Sequence, residues 1–214
     1  PCSADLGLFD PSKIDSAQKT AYRQRLNIKD DDFIVTYLGS IGGWYLTAEM
    51  LRFCKLLSDK IPAARFLFIS PHRHEQIIAA ASEHNISPEK IITVKASRQE
   101  VPTLLSFSTY SLFFIKPCYS KLSSSPTKHG ELMAMGIPVI SNGGVGDMQS
   151  IVEGSNGGFI VDDFSDNAFN KVIDQIQRGQ SFSPSEIRQK AKEIYSLEKA
   201  VKAYTRIYSK ILGS

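Results

Sequence analysis

The chain has 214 residues, 42% of them hydrophobic and 22% charged, with a formal net charge of +3. That balance suits one soluble α/β domain with a sizeable core, excludes disorder, collagen and coiled coil, and, with no long block of one sign, argues against a nucleic-acid partner. No apolar run approaches the roughly 20 residues of a membrane span and no signal segment opens the chain. The three cysteines, Cys2, Cys54 and Cys118, have spacings that fit neither a disulfide framework nor a metal site, so a reducing cytosol is expected. The first residue is Pro1 and the opening PCSADLGLFDPSK reads as loop. The chain is therefore expected to be a piece of a longer protein, with residues 1–11 a linker remnant and 12–214 a single domain.

Residues 12–28 are expected to form a helix before the first strand. FIVTYL at 33–38 begins a series of short runs rich in β-branched and aromatic residues, continued by 64–70, 91–96, 110–116, 138–142 and 158–161. They are apolar throughout rather than alternating, as in strands covered on both faces. Helical patterns lie between them. Leu46, Met50, Phe53, Cys54 and Leu57 make one stripe, with Thr47 placed to cap it. Ser70-Pro71 opens the next stretch, through Ile77, Ile78 and Ala81. Ser97 to Glu100 is a capping-box pattern before Val101, Leu104 and Leu105. Residues 165–213 carry no strand signal and read as two or three helices, the last including Leu197, Val201, Tyr204, Ile207, Tyr208 and Ile211. The order predicts a Rossmann-like, doubly wound parallel sheet of about six strands with helices on both faces and a helical tail. Its ligand crevice would lie beyond the carboxyl ends of the strands.

Three strand-to-helix loops carry residues suited to chemistry. Gly39-Ser40-Ile41-Gly42-Gly43-Trp44-Tyr45 can turn tightly or present backbone N–H groups to a phosphate or sugar, and both readings stand. It is not the dinucleotide fingerprint, whose glycine spacing differs. The run from Lys121 to Ile140 is the most informative. Ser125 or Thr127 is placed to cap a short helix that Gly136 stops, giving a helix amino end aimed into the crevice, where free N–H groups, Lys128 and serine hydroxyls suit a diphosphate. Glu131 falls one turn on, an acceptor-only group that suits paired ribose hydroxyls. The alternative is an ordinary surface pair of Lys128 with Glu131, worth about 0.2–0.5 kcal/mol. The third loop, Ser141 to Asp147, is again glycine-rich, with Asp147 read first as a helix cap. His72 and His74 beside Arg73 read as solvated or phosphate-adjacent rather than metal-binding.

The run SSSPTKHGELMAMGIPVIS resembles the signature of the C-terminal, donor-binding domain of GT-B glycosyltransferases of group 1, the retaining family 4 type. PCSADLGLFDP, YLGSIGGWY, SRQEVPTLLSFSTYSLFFIKP and IVEGSNGGFIV resemble, in order, further landmarks of that domain, so the likeness spans nearly the whole chain. The resemblance implies a nucleotide-diphospho-sugar donor as substrate, no separate cofactor and no metal. It implies a nucleotide site made of Gly39, Ser40, Gly42, Lys95, Ala96, Ser97, Ser125, Thr127, Lys128 and Glu131, with the base near 95–97, and donor-sugar contacts at Ser123 and Ser124. Lys128 and Glu131 are the implied catalytic pair. Glu131 matches the second glutamate of the family's Glu-x7-Glu motif, whereas Ser123 stands where the first belongs, and Ser40 stands where a basic residue often follows the first glycine.

The implied partner is the protein's own missing N-terminal, acceptor-binding domain, and the implied acceptor a glycan or lipid-linked precursor. Such a protein is expected in the cytoplasm, at the inner membrane face through its parent. This chain alone is expected to bind nucleotide weakly and transfer nothing, with an exposed apolar patch on its tail helices. Two alternatives stand beside this reading: a non-catalytic sugar-nucleotide-binding or interaction domain, and a GT-B nucleotide-sugar epimerase.

Overall fold

In a computed structural model that describes residues 2–213, six strands form one parallel sheet: β1 (Phe33–Leu38), β2 (Ala64–Ile69), β3 (Ile91–Val94), β4 (Tyr110–Leu112), β5 (Val139–Asn142) and β6 (Gly158–Val161). Their order across the sheet is β3-β2-β1-β4-β5-β6. Among the described residues the α-helices are α1 (Ser16–Arg25), α2 (Thr47–Lys60), α3 (His74–Glu83), α4 (Val101–Leu105), α5 (Thr127–Ala134), α6 (Met148–Gly154), α7 (Asp166–Gln177), α8 (Pro184–Ile194) and α9 (Leu197–Leu212). Strand order reverses between β1 and β4, which is where a doubly wound sheet opens its crevice.

The sheet is held by side chains that sequence periodicity identifies. Met50, Phe53, Cys54 and Leu57 on α2 are buried, and Phe53, Phe114 and Phe169 meet with ring centroids 5.4–6.1 Å apart, joining α2, the segment after β4 and α7. Each such ring contributes roughly 1.5–3 kcal/mol by leaving water. In register, Val35 of β1 lies between Phe66 of β2 and Tyr110 of β4 on one face, and Thr36 lies between Leu67 and Ser111 on the other, all buried, so the central strands are covered on both faces.

Element ends differ from expectation where local chemistry competes. β2 stops at Ile69, β3 at Val94 and β4 at Leu112, and β5 begins at Val139 rather than at position 138. Residues 113–115 remain buried; Phe113 N–H still donates to Ile140 O at 3.1 Å, and the chain then turns to the glycine loop: Leu46 N–H donates to Phe114 O at 3.0 Å, Lys116 N–H donates to Trp44 O at 2.8 Å, and Tyr45 bridges Ile115. An apolar run reads the same in either pairing. The helix expected over 12–28 is α1, with the Asp15 carboxylate accepting from Ala17 N–H at 2.9 Å. Thr47 is the first residue of α2 and does not cap it; its hydroxyl accepts from Gly42 N–H at 3.2 Å. α3 begins at His74 rather than at Pro71, because Arg73 takes a left-handed conformation (φ 65°) and breaks the helical path. The capping box before α4 is half made: the Glu100 carboxylate accepts from Ser97 N–H at 2.8 Å, but the Ser97 hydroxyl donates to the same carboxylate at 2.7 Å instead of accepting from the helix.

The opening segment packs on the domain. Phe9 is fully buried, Ala4 N–H donates to Tyr195 O at 2.9 Å, and Arg188 of α8 donates to Phe9 O at 2.7 Å and pairs with Asp10 at 2.9 Å. α9 is the opposite case. It is strongly amphipathic, yet none of its described residues is buried: Leu197, Val201, Tyr204, Ile207, Tyr208 and Ile211 are all more than half exposed, which is the apolar tail patch expected from sequence. No helix among the described residues is long and apolar enough to cross a membrane.

Candidate functional site

The amino end of α5 lies at the switch point and carries no side-chain cap. Pro126 occupies the N-cap position with φ −66°, which puts Ser125 before the cap and Thr127 after it, so neither of the two expected capping residues is in register to cap. Ser125 is engaged elsewhere: its hydroxyl accepts from Cys2 N–H at 3.0 Å. His129 N–H already donates to Pro126 O at 2.9 Å, so the Thr127 and Lys128 N–H groups and the positive end of the helix dipole are left for something else.

Lys128, in this first turn, is only 9% exposed, and its Nζ has no hydrogen-bond partner among the described residues. The ammonium lies 3.8 Å from the centroid of Tyr45, 4.4 Å from that of Tyr37 and 5.6 Å from that of Phe113, a three-ring cage. Cation–π attraction offsets part of the desolvation, which nonetheless dominates. Burial pulls the amine down to about 7, with the Glu131 carboxylate working in the other direction. Gly39, at φ +120°, lets the loop close over this amine: a Cβ there would meet Nζ at 3.0 Å. The Tyr37 hydroxyl donates to Ser40 O and fixes the loop from below. This glycine loop is therefore both a tight turn and one wall of the Lys128 site.

Glu131 is buried and does not form the surface pair with Lys128. Its Oε1 accepts from Arg98 at 2.8 Å. Arg98 stands in the loop after β3, its guanidinium 5.2 Å from the centroid of Phe9. Ser97 and the Tyr22 hydroxyl both donate to Glu100, whose carboxyl these bonds hold at about 2, so the loop bearing Lys95, Ala96, Ser97 and Arg98 is stiffened at one end. Lys95 and Ser97 are exposed and Ala96 half-buried, just past the carboxyl end of β3.

Between α5 and the glycine loop is a hollow of about 290 Å³, lined by Trp44, Tyr45, Lys121, Ser124, Ser125 and Thr127 among others. Lys121 Nζ sits 4.6 Å from the Trp44 ring centroid. No carboxylate lines this hollow. Ser123 is exposed beside it, while Ser124 is pinned by Gly146, which has φ +46° and packs on the Ser124 carbonyl where any Cβ would collide at 1.8 Å. Ser40 is exposed on the glycine loop and Gly42 half-buried, its Cβ position 3.4 Å from Arg73 Nη1. Asp147 holds the N-cap position of α6, but its side chain makes no capping bond. His74 ties its Nε2 to Ser70 O at 2.8 Å and His72 is exposed.

The geometry thus gathers Gly39, Thr127, Lys128 and Ser125 at one helix end and puts Glu131 one turn away facing the 95–98 loop. Sequence reasoning missed five contributors. Tyr37, Tyr45 and Phe113 build the cage, but aromatic residues in apolar runs and a loop read as core. Asn142 is buried and clamps the β4 exit to β5, accepting from Ile115 N–H and donating to Ile115 O, both at 2.9 Å; the one signal was a polar residue ending an apolar strand. Arg98 gave only the signal of a cation in a strand-to-helix loop. Behind α5, His129 Nδ1 bonds the Tyr195 hydroxyl at 2.8 Å inside the core, and burial holds this imidazole down at about 4.

Solved structures share this fold at low identity. A glycosyltransferase involved in lipopolysaccharide biosynthesis, WaaG, is 18% identical with a TM-score of 0.72, over 94% of this chain and 54% of its own. Anabaena Alr3699/HepE in complex with UDP-glucose is 14% identical with a TM-score of 0.75, over 97% of this chain and 56% of its own. The C-terminal domain of a glycosyl transferase group 1 family protein, LpcC, from Francisella tularensis is 15% identical with a TM-score of 0.66, over 91% of this chain and all of its own. The chain spans about half the length of the first two. No curated protein matches it by sequence. A family model described as glycosyl transferases group 1 matches residues 18–194, and the chain belongs to that family.

Proposed function

We propose that this chain is the donor-binding half of a retaining glycosyltransferase that moves a sugar from a nucleotide-diphospho-sugar to a glycan or lipid-linked acceptor. One observation carries the reading: a buried lysine amine without a partner, held against Gly39 at the uncapped amino end of α5. An unpaired buried amine costs free energy, and an anion settling at that helix end supplies the missing partner. A diphosphate fits because it meets backbone N–H groups, the hydroxyls of Ser125 and Thr127, and Lys128 together. Glu131 would take the pentose hydroxyls and the 95–97 loop the base. In transfer, Lys128 and the helix dipole stabilise the departing diphosphate as the bond to the anomeric carbon breaks, and the acceptor enters on the same face. WaaG and HepE, with transferase and UDP-glucose in their descriptions, support the class of donor.

The test is a thermal-shift panel of UDP, GDP, ADP and CMP on the chain. A nucleoside diphosphate at a hundred times its Kd should add about 2.7 kcal/mol. Glu131→Ala should weaken that response through the ribose, and Lys128→Met should weaken diphosphates more than nucleosides. Responses equal to the parent in both variants would reject the site. A non-catalytic sugar-nucleotide-binding domain is the second reading, favoured by exposed Ser123, which leaves the hollow without a carboxylate. Donor hydrolysis or transfer by a protein that includes an acceptor-binding half separates the two.

A further inference from the structure

Lys128 and Glu131 are three positions apart on α5, the spacing at which a lysine and a glutamate pair across a helix turn. Both are buried, where an ion pair is least screened, and yet no ion pair joins them. The carboxylate is turned the other way: its Oε1 accepts from Arg98, which reaches over from the loop after β3. That loop is fixed by Glu100, and the guanidinium rests on the Phe9 ring, so Arg98 approaches from a braced position. Resting on the donor-site reading above, we propose that Arg98 is a positioning residue that draws Glu131 away from Lys128 and so keeps the lysine amine unpaired for an incoming diphosphate.

The physical argument is a competition for one carboxylate. A guanidinium offers forked, charge-assisted donors and is more weakly hydrated than an ammonium, so it wins a buried carboxylate at small desolvation cost. Remove it, and Glu131 is left with one cation in reach, its neighbour in the next turn. Lys128 would then be neutralised from within α5, and an anion at the helix end would have to displace a buried ion pair. Arg98 is itself half exposed and makes no direct contact with the Lys128 cage, so its effect on an anion runs through Glu131.

The experiment is isothermal titration of the 214-residue chain with UDP and with inorganic pyrophosphate, which has no pentose for Glu131 to hold. Arg98→Ala should lower pyrophosphate affinity about tenfold, and Arg98→Lys, which keeps a cation beside Glu131, should recover most of it. The decisive variant is Arg98→Ala combined with Glu131→Gln: the amide cannot neutralise Lys128, so pyrophosphate affinity should return to the parental value. A folding defect predicts no such recovery; because the double variant also restores the parental net charge, Arg98→Ala combined with Glu198→Gln on α9 is its control, and recovery there too would reduce the effect to net charge and overturn the role of Arg98. Parental pyrophosphate affinity in Arg98→Ala, or a defect that Glu131→Gln leaves in place, overturns the role of Arg98 while UDP binding by the parent still upholds the donor site. Failure of the parent chain to bind either UDP or pyrophosphate overturns both.

Discussion

The two ends of the sheet pose the same problem and solve it differently. At the amino ends of β2 and β3 is the roomier hollow, about 630 Å³, and its least exposed cation is satisfied: Arg65 pairs with Asp32 at 2.7 Å and also donates to the Asn27 and Glu89 carbonyls. At the carboxyl ends the hollow is less than half that size, and beside it Lys128 is buried with nothing to bond. Volume marks the first and unmet polarity the second. A buried polar group without a partner is retained at a cost, and sites that bind ions are where such a cost is recovered.

Substitutions at each end should separate these two kinds of charge. Asp32→Ala strands the Arg65 guanidinium, whose side chain is only 16% exposed, and should cost roughly 3–5 kcal/mol in chemical denaturation while leaving any nucleotide response unchanged. Lys128→Met should do the reverse. Nucleoside diphosphate affinity, read by titration, should fall about a hundredfold, while stability stays level or rises by roughly 1 kcal/mol as a desolvated amine is replaced by an apolar chain. Gly39→Ala must hold φ +120° and push into the lysine amine, so it should cost about 1–3 kcal/mol and weaken binding with it.

Acidity sharpens the contrast further. The Lys128 amine is held at about 7 in the folded chain, below its ordinary range, so the unfolded chain binds the extra proton above that point. Stability should therefore rise with pH from about 7 towards the ordinary lysine range, and Lys128→Met should abolish the rise. His129, held at about 4 by burial, adds a loss of stability as pH falls from about 6.5 towards 4, in parent and Lys128→Met alike. Because a bound diphosphate favours the charged amine, its affinity should decline as pH climbs past 7. The smallest effect is expected at Tyr195→Phe, which removes the partner of His129 Nδ1 and should cost about 1 kcal/mol without altering ligand response.

Much of this molecule is legible in its sequence because parallel strands are short apolar runs with nothing else they can be. The runs at 33–38 and 158–161 match β1 and β6 residue for residue. Reading fails where one pattern serves two pairings, as with Phe114 and Ile115, which are buried but pair with the glycine loop instead of the parallel ladder. It also fails at caps, where Pro126 shifts the helix start by fixed geometry and Arg73 adopts a left-handed turn that no rule of composition assigns to arginine. At the site, the helix end was visible as proline, threonine and lysine in succession. The cage of Tyr37 and Tyr45 and the reach of Arg98 to Glu131 join segments far apart in the chain, and one sequence holds no record of such meetings.

The tether between Cys2 and Ser125 bears on how the protein is handled. Any segment joined ahead of Cys2 leads into a residue whose N–H bonds the Ser125 hydroxyl, just before the α5 amino end, and would crowd that end. A fusion beyond α9 would instead extend a helix none of whose described side chains is buried. Capture through a tag beyond α9 is the arrangement this architecture recommends, since it leaves the bond between Cys2 and Ser125 undisturbed.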